Sequence, residues 1–263
     1  MKVEVLVKNA RIPQGDRMVE TNILIRDGKI AGFSPTADID AREVIDAGGN
    51  LVIPGCIDSH THINDPGFTH RENFETGTSA AASGGVTTVI DMPCCSVPSV
   101  RSVADLQGKL EALEHVQKQA DAGVVAFKVY MTPSVPTYPR VTDAEMLEIF
   151  KEVAKTGLPV GVHAENYNLC DYYVQKLQAE GRMDGPAWAE ARLSLAEKVA
   201  IEMVISFAEY SGVRMHVVHM STREGAILVG EAKKRGLPVT AETCPHYLTI
   251  NAAAEAVGDG ITT

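Results

Sequence analysis

The chain has 263 residues, 45% of them apolar, 22% charged and 5% aromatic, the proportions of a globular protein. Its 24 Lys+Arg against 34 Asp+Glu give a net charge of −10, which argues against a broad phosphate-binding surface and against nucleic acid as the main partner. No apolar run approaches the roughly 18–20 residues that span a bilayer, Met1-Lys2-Val3-Glu4-Val5-Leu6 has no cleavable apolar core, and five irregularly spaced cysteines read as reduced thiols, so a cytoplasmic protein without a membrane partner is expected.

Residues 1–50 read as a small antiparallel β-sheet domain. Val3, Val5 and Val7 alternate with Glu4, Leu6 and Lys8 in a first strand, and Asn22–Arg26 is a second. Asp27-Gly28-Lys29 turns into Ile30–Phe33, and Glu43–Asp46 ends at the turn Ala47-Gly48-Gly49. From Leu51 the pattern changes to alternating strands and helices. A helix over 73–83 precedes a buried strand, Val86–Ile90. An amphipathic helix fits 103–121, with Leu106, Leu110 and Leu113 on one face. Gly123–Tyr130 is a strand. Thr142-Asp143-Ala144-Glu145 is a capping box opening a helix to Lys155. Leu158–Val162 is a strand, helices follow over 167–180 and 187–210, and Val213–Val218 is a strand. Ser221-Thr222-Arg223-Glu224 has the form of a second capping box, opening a helix to Arg235 before the strand Leu237–Ala241. Such alternation predicts a parallel sheet, either doubly wound or a (β/α)8 barrel. The absence of a G-x-G-x-x-G motif and the placing of reactive residues at several strand ends favour the barrel. About six units are visible where a barrel needs eight, so the chain reads as a fragment of one.

Asp58-Ser59-His60-Thr61-His62 is the strongest local signal. Histidines at i and i+2 of a strand share a face, from which both can reach one metal at about 2.0–2.1 Å. Two ordinary histidines at a strand end would show the same spacing. Lys128 lies within the apolar strand Ala126-Phe127-Lys128-Val129-Tyr130-Met131. Burial lowers a lysine pKa, and the neutral amine can add carbon dioxide to become an anionic carbamate ligand. A pairing with a buried acid is the simpler account of an isolated lysine. His163 and His219 each follow a predicted strand. Any one of these residues could be a packing feature; four histidines and a lysine at the ends of four parallel strands together point to a metal site.

These segments, with Glu75-Thr76-Gly77-Thr78, Gly84-Gly85-Val86-Thr87-Thr88, Val162-His163-Ala164-Glu165, Val218-His219-Met220-Ser221 and Asp46–Gly55, resemble the cyclic amidohydrolases: dihydroorotases, allantoinases, hydantoinases and dihydropyrimidinases. The resemblance runs along the whole chain. It implies a metal-dependent hydrolase with a TIM barrel over residues 51–263, lacking its C-terminal units, and a β-sandwich part in residues 1–50. It implies that His60 and His62 hold the more buried of two divalent metal ions, zinc by ligand type, and that His163 and His219 hold the second. Carbamylated Lys128 would bridge them and serve as the catalytic residue. The family's last ligand, an aspartate on the eighth strand that also shuttles the proton, has no counterpart here. The implied reaction is opening of a cyclic amide or ureide by a metal-bridging hydroxide, in a homo-oligomer.

Substrate cues divide the family. Dihydroorotases place an arginine and an asparagine where this chain has Asn64 and Cys94; these two would be the substrate-binding residues, and neither pairs a carboxylate as a guanidinium does. Ile63-Asn64-Asp65-Pro66-Gly67 and Thr243-Cys244-Pro245-His246-Tyr247-Leu248 look like allantoinases. Hydantoinases carry a tyrosine where this chain has Pro133, and Tyr130 is the nearest alternative. The expected activity is therefore allantoinase-like or dihydropyrimidinase-like, with dihydroorotase, or a scaffold that has lost catalysis, as alternatives. His70, Arg71 and Glu72 read as a solvated loop, His115 as surface, His216 as barrel wall and Cys94-Cys95 as pocket wall; His246 has no metal role to assign.

Overall fold

The computed structural model describes residues 2–65, 67–92, 94–95, 116–118, 120–121, 123–134 and 138–249. The chain divides into two compact units, one of Met1–Asp58 with Ala80–Val89 and one of Ser59–Ser79 with Ile90–Thr263.

The first unit is built on a four-stranded sheet in the order β3-β2-β1-β4: β1 Lys2–Gln14, β2 Arg17–Arg26, β3 Lys29–Ser34 and β4 Asp40–Asp46. β1, β2 and β3 are antiparallel neighbours, but β4 runs parallel to β1, pairing Val3 with Ala41 and Val7 with Ile45. The sheet is thus mixed, not antiparallel as expected: the connection from Ser34 to Asp40 carries the chain across the sheet to the far edge of β1. Val3, Leu6 and Leu24 form its small core. A bulge interrupts β1 between Val7 and Ala10, where Asn9 takes the left-handed region at φ 56° that its short amide side chain tolerates. That amide donates to Asp46 Oδ1 at 2.9 Å and ties β1 to the end of β4.

Strands β5 (Cys56–Thr61) and β6 (Val86–Asp91) form a two-stranded sheet. Cys56 N–H donates to Gly85 C=O at one end and Met92 N–H to Thr61 C=O at the other, so the pair runs parallel. Helix α1 (Phe74–Ser83) connects them. Thr87 and Thr88 of β6 are exposed, against the buried strand expected there.

The second unit centres on a parallel sheet in the order β10-β9-β8-β7, with β7 Phe127–Tyr130, β8 Pro159–His163, β9 Arg214–Val217 and β10 Val239–Ala241. Spatial order follows chain order with no reversal, as in barrel-type α/β folds and unlike a doubly wound sheet. Val160 and Val162 are fully buried, and Gly161 between them is buried too, the two-sided burial that parallel strands require. The connecting helices are α2 (Asp143–Thr156), α3 (Tyr167–Ala179), α4 (Gly185–Ala191), α5 (Ser194–Ser211) and α6 (Arg223–Lys234). The stretch expected as one helix over 187–210 is broken at Arg192-Leu193 into α4 and α5. α5 packs on α2 and α6, and its Ala200, Ile201 and Val204 join Phe150, Met146 and Val153 of α2 against Val160, Val162, Met215 and Val217.

The first capping box is present: Thr142 Oγ1 accepts from Glu145 N–H, and Glu145 Oε2 accepts from Thr142 N–H at 2.7 Å. The second is not. Thr222, one residue later than Ser221, caps α6 by accepting from Gly225 N–H at 3.1 Å. Ser221 instead donates its N–H and hydroxyl to Glu197 of α5. Of the helix expected over 103–121, Val116–Lys118, Ala120 and Asp121 are helical; Leu106, Leu110, Leu113 and His115 lie outside the described residues, as does the chain beyond Thr249. Among the described residues no helix is long and apolar enough to cross a membrane.

Phe150→Ala empties the centre of this core and should cost about 3–5 kcal/mol, whereas Thr142→Ala, which removes only a cap, should cost about 1 kcal/mol. Urea denaturation checks the contrast; equal losses would mean that the α2–α5 layer is not the core.

Candidate metal centre

The C-terminal ends of the parallel strands bring the sequence-nominated residues together. His60 lies in β5 and His62 one residue past it; Lys128 is the second residue of β7; His163 ends β8; His219 follows β9 by two residues. His60 Nε2 lies 3.1 Å from His62 Nε2 and 3.2 Å from Lys128 Nζ. His163 Nδ1 lies 2.9 Å from His219 Nε2, and the His60 and His219 rings are 5.3 Å apart between centroids. His219 is held at φ 38°, a left-handed backbone that is strained for a residue with a Cβ.

Lys128 is 7% exposed. Its amine touches His60 Nε2 and lies over the Tyr130 ring, and among the described residues no carboxylate pairs with it. Burial draws its pKa down to about 8, against the opposing charges of Cys94 and Glu242. Room for its alkyl chain comes from Gly161, its register partner on β8: a Cβ there would come within 3.4 Å of Lys128 Cδ and 3.1 Å of Val218 Cγ1. Burial, and then the charges of His163, Lys128 and His60, lower His219 to about 3, so its imidazole is neutral.

Sequence reasoning missed the groups that hold the histidines from outside. Glu242, one residue past β10, bonds His60 Nδ1 through Oε1, while its Oε2 accepts from Ser59 Oγ at 2.8 Å and faces His216 Nε2 at 3.3 Å. Backbone pairing fixes it: Glu242 N–H donates to Val217 C=O at 3.0 Å and Met220 N–H donates to Glu242 C=O at 2.8 Å. Although burial pushes the Glu242 carboxyl up, His216, His60 and Ser59 hold it well below the usual carboxylate range. Glu165 repeats the pattern at His163. Its Oε2 faces His163 Nε2 at 3.4 Å and bonds Arg192 Nη1, and these partners overcome burial to hold it at about 2. Asp91 accepts from Ile63 N–H at 2.8 Å, which fixes the backbone between His62 and Asn64; burial raises its pKa. Glu165 lay inside a quoted motif, but its role needed the fold to bring Arg192 to it.

The donor chemistry fits a metal centre. A neutral imidazole has one N–H and one lone pair. Carboxylates at His60 Nδ1 and His163 Nε2 take the protons, so the nitrogens turned inward are lone pairs, the arrangement in which outer carboxylates orient histidine ligands. Each of these lone pairs faces a nitrogen of a second imidazole, at 3.1 Å for His60 and His62 and 2.9 Å for His163 and His219, a spacing that one cation can bridge. Two nitrogens bound tetrahedrally to one ion at about 2.0–2.1 Å are about 3.3 Å apart, close to both spacings.

The remaining candidates divide. Asn64 is half-buried beside His62, its Nδ2 donating to His62 C=O at 3.4 Å. Cys94 is buried, with Sγ 3.4 Å from His62 Nδ1 and 3.1 Å from Tyr130 Oη. His216, expected in the wall, bonds Thr240 and Glu242. His70 and His246 are exposed. All five cysteines are thiols.

Residues 51–261 match the amidohydrolase family. An L-hydantoinase of Paenarthrobacter aurescens is 35% identical over 277 residues, covering 97% of this chain and 60% of the relative. An allantoinase of Bacillus velezensis is 33% identical over 268 residues, covering 94% of this chain and 59% of the relative. The chain therefore spans about 60% of the length of the curated relatives it matches. Among solved structures, L-hydantoinase (dihydropyrimidinase) from Arthrobacter aurescens superposes with a TM-score of 0.88 at 34% identity, covering 95% of this chain and 60% of that one. A D-hydantoinase gives 0.80 at 28% identity, covering 98% and 61%. Identity does not rank hydantoinases below allantoinases, as Pro133 had suggested.

Glu242→Gln should keep the fold but weaken divalent-cation binding roughly 10- to 100-fold, the usual effect of removing an outer carboxylate. Competition with a chromophoric chelator measures it; unchanged affinity would show that Glu242 does not orient His60.

Proposed function

The chain belongs to the amidohydrolase family, and from that premise we propose that it hydrolyses a ring C–N bond of an uncharged cyclic amide or ureide, allantoin-like or dihydropyrimidine-like, at a centre for two divalent ions. The observation that carries the reading is the convergence of four imidazoles and a buried lysine on inward-facing nitrogens. His60 and His62 would hold one ion, His163 and His219 the other, with carbamylated Lys128 between; N/O donors of this kind suit zinc. Bound there, the ions supply Lewis-acid polarisation of the carbonyl and a water of lowered pKa. We extend the same reading to the architecture: β5 to β10 are six strands of a (β/α)8 barrel, with residues 1–50 as its small sheet domain.

The protein's own groups prepare this chemistry. A Lys128 pKa drawn down to about 8 leaves part of the amine neutral near neutral pH, one proton having gone to solvent; its nitrogen then bonds to carbon dioxide and sheds a second proton, so that an anion replaces a buried cation. Glu242 and Glu165 hold protons at His60 Nδ1 and His163 Nε2 and keep the opposite nitrogens as donors. Tyr130 Oη lies 3.1 Å from Cys94 Sγ, a contact in which either group can be the donor. Beside His62 stand Asn64 and Cys94, and neither offers a guanidinium to a substrate carboxylate. An uncharged ring suits that surface.

Comparison of kcat/KM for allantoin, hydantoin, dihydrouracil and dihydroorotate with the full-length protein tests the proposal. Dihydroorotate should be the poorest by roughly tenfold or more, the worth of about 1.5–3 kcal/mol for a charged hydrogen bond that the site does not offer. A preference for dihydroorotate would overturn the substrate class, and no turnover of any of the four by metal-loaded protein would overturn the reaction.

A further inference from the structure

Cys94 and Cys95 are consecutive residues, yet both thiols turn to the same place. Their Sγ atoms are 3.6 Å apart, and Cys94 Sγ is 3.4 Å from His62 Nδ1. Among the described residues this is the trio of His, Cys, Asp or Glu whose ligand atoms all lie within 4.8 Å of one another. Two sulfurs bound to one ion at about 2.3 Å in a tetrahedral arrangement are about 3.8 Å apart, and a sulfur and an imidazole nitrogen about 3.6 Å. The two contacts that Cys94 makes in the trio therefore lie within a few tenths of an ångström of those spacings, and Cys95 Sγ is within 4.8 Å of His62 Nδ1.

We propose that Cys94, Cys95 and His62 Nδ1 form a second cation site, for a soft thiophilic ion, distinct from the inward-facing donor set. Two sulfurs and one nitrogen favour soft ions such as cadmium over magnesium or manganese. Binding is a ligand exchange without oxidation: two metal–sulfur bonds and one metal–nitrogen bond form, and any thiol proton leaves to solvent.

The site takes its meaning from His62, whose two nitrogens face different groups. Nε2 is turned to His60 and Nδ1 to Cys94. A neutral imidazole offers one lone pair at a time. A soft ion on Nδ1 moves the remaining proton to Nε2 and withdraws His62 from the inner set. The second site is therefore inhibitory, a consequence that rests on the reading of His62 as an inner ligand; the binding itself does not.

The test is titration of the full-length, metal-loaded protein with cadmium, followed by thiolate-to-metal charge-transfer absorption and by hydrolase activity in parallel. The wild-type protein should develop the band at one equivalent, with activity falling in step, and excess magnesium should not prevent it. Cys95→Ser and Cys95→Ala should each weaken cadmium binding roughly tenfold or more while keeping their content of inner metal, a loss of the size expected when a metal site loses a supporting group. No band in the wild-type protein, or an undiminished band in both variants, would overturn the site. A band without loss of activity would overturn its inhibitory role alone. Because the band does not depend on turnover, failure of the hydrolase reading is told apart from failure of this one.

Discussion

A lysine side chain buried beneath imidazoles, with no carboxylate among the described residues in ion-pair contact with it, is the constraint on which this structure turns. Burying an unpaired ammonium is costly enough that the group shifts its pKa or changes its chemistry. Lys128 sits on β7 opposite Gly161, and the space left by the missing Cβ lets its chain run up to the histidines. The amine ends 3.2 Å from a nitrogen lone pair of His60. Left as an amine, it has N–H groups to donate to His60 Nε2 and brings no negative charge. As the carbamate proposed above it would supply an anion between the imidazoles and the two cations. The parallel sheet makes this possible, because strands in chain order deliver one reactive residue each to the same end.

Around this centre the acids stand outside the histidines. Glu242 and Glu165 sit on the far nitrogens of His60 and His163, and each has a further partner of its own, Ser59 and His216 for one and Arg192 for the other. This division keeps negative charge away from the inner nitrogens while fixing which of them carries a lone pair. His62 departs from the pattern, since its outer nitrogen faces a thiol. That departure sets the Cys94-Cys95 pair beside His62, and Cys94 is with Asn64 one of the two positions that set the substrate cues apart from those of dihydroorotases.

The parts of the fold legible in the sequence are those with local causes. Alternation placed β1 and β2, Thr142 and Glu145 placed the start of α2, and apolar runs after Gly-rich connections placed β7, β8 and β9. That His60, His62, Lys128, His163 and His219 come close together was foreseeable because each stands on or just past a strand, and a parallel sheet carries its strands in one direction. What depends on distant partners was not legible. The start of α6 slipped by one residue because Ser221 answers to Glu197 on α5. β4 is parallel to β1 because of where its connection leads, which no local pattern encodes. Glu242 reads as an ordinary acid until β9 and β10 pair and set it beside His216 and His60.

In the reading proposed above, Lys128 is an anionic ligand and not a cation. The most direct measurement is native mass spectrometry of the full-length protein purified with bicarbonate and divalent metal present, with ¹³C-labelled bicarbonate to mark the adduct by NMR. One carbon dioxide and two divalent ions per chain are expected, with the label on a lysine carbamate. Lys128→Ala should lose the carbon dioxide and most of the metal together. A wild-type protein that holds two ions with an unmodified Lys128, or a Lys128→Ala variant with undiminished metal, would contradict it.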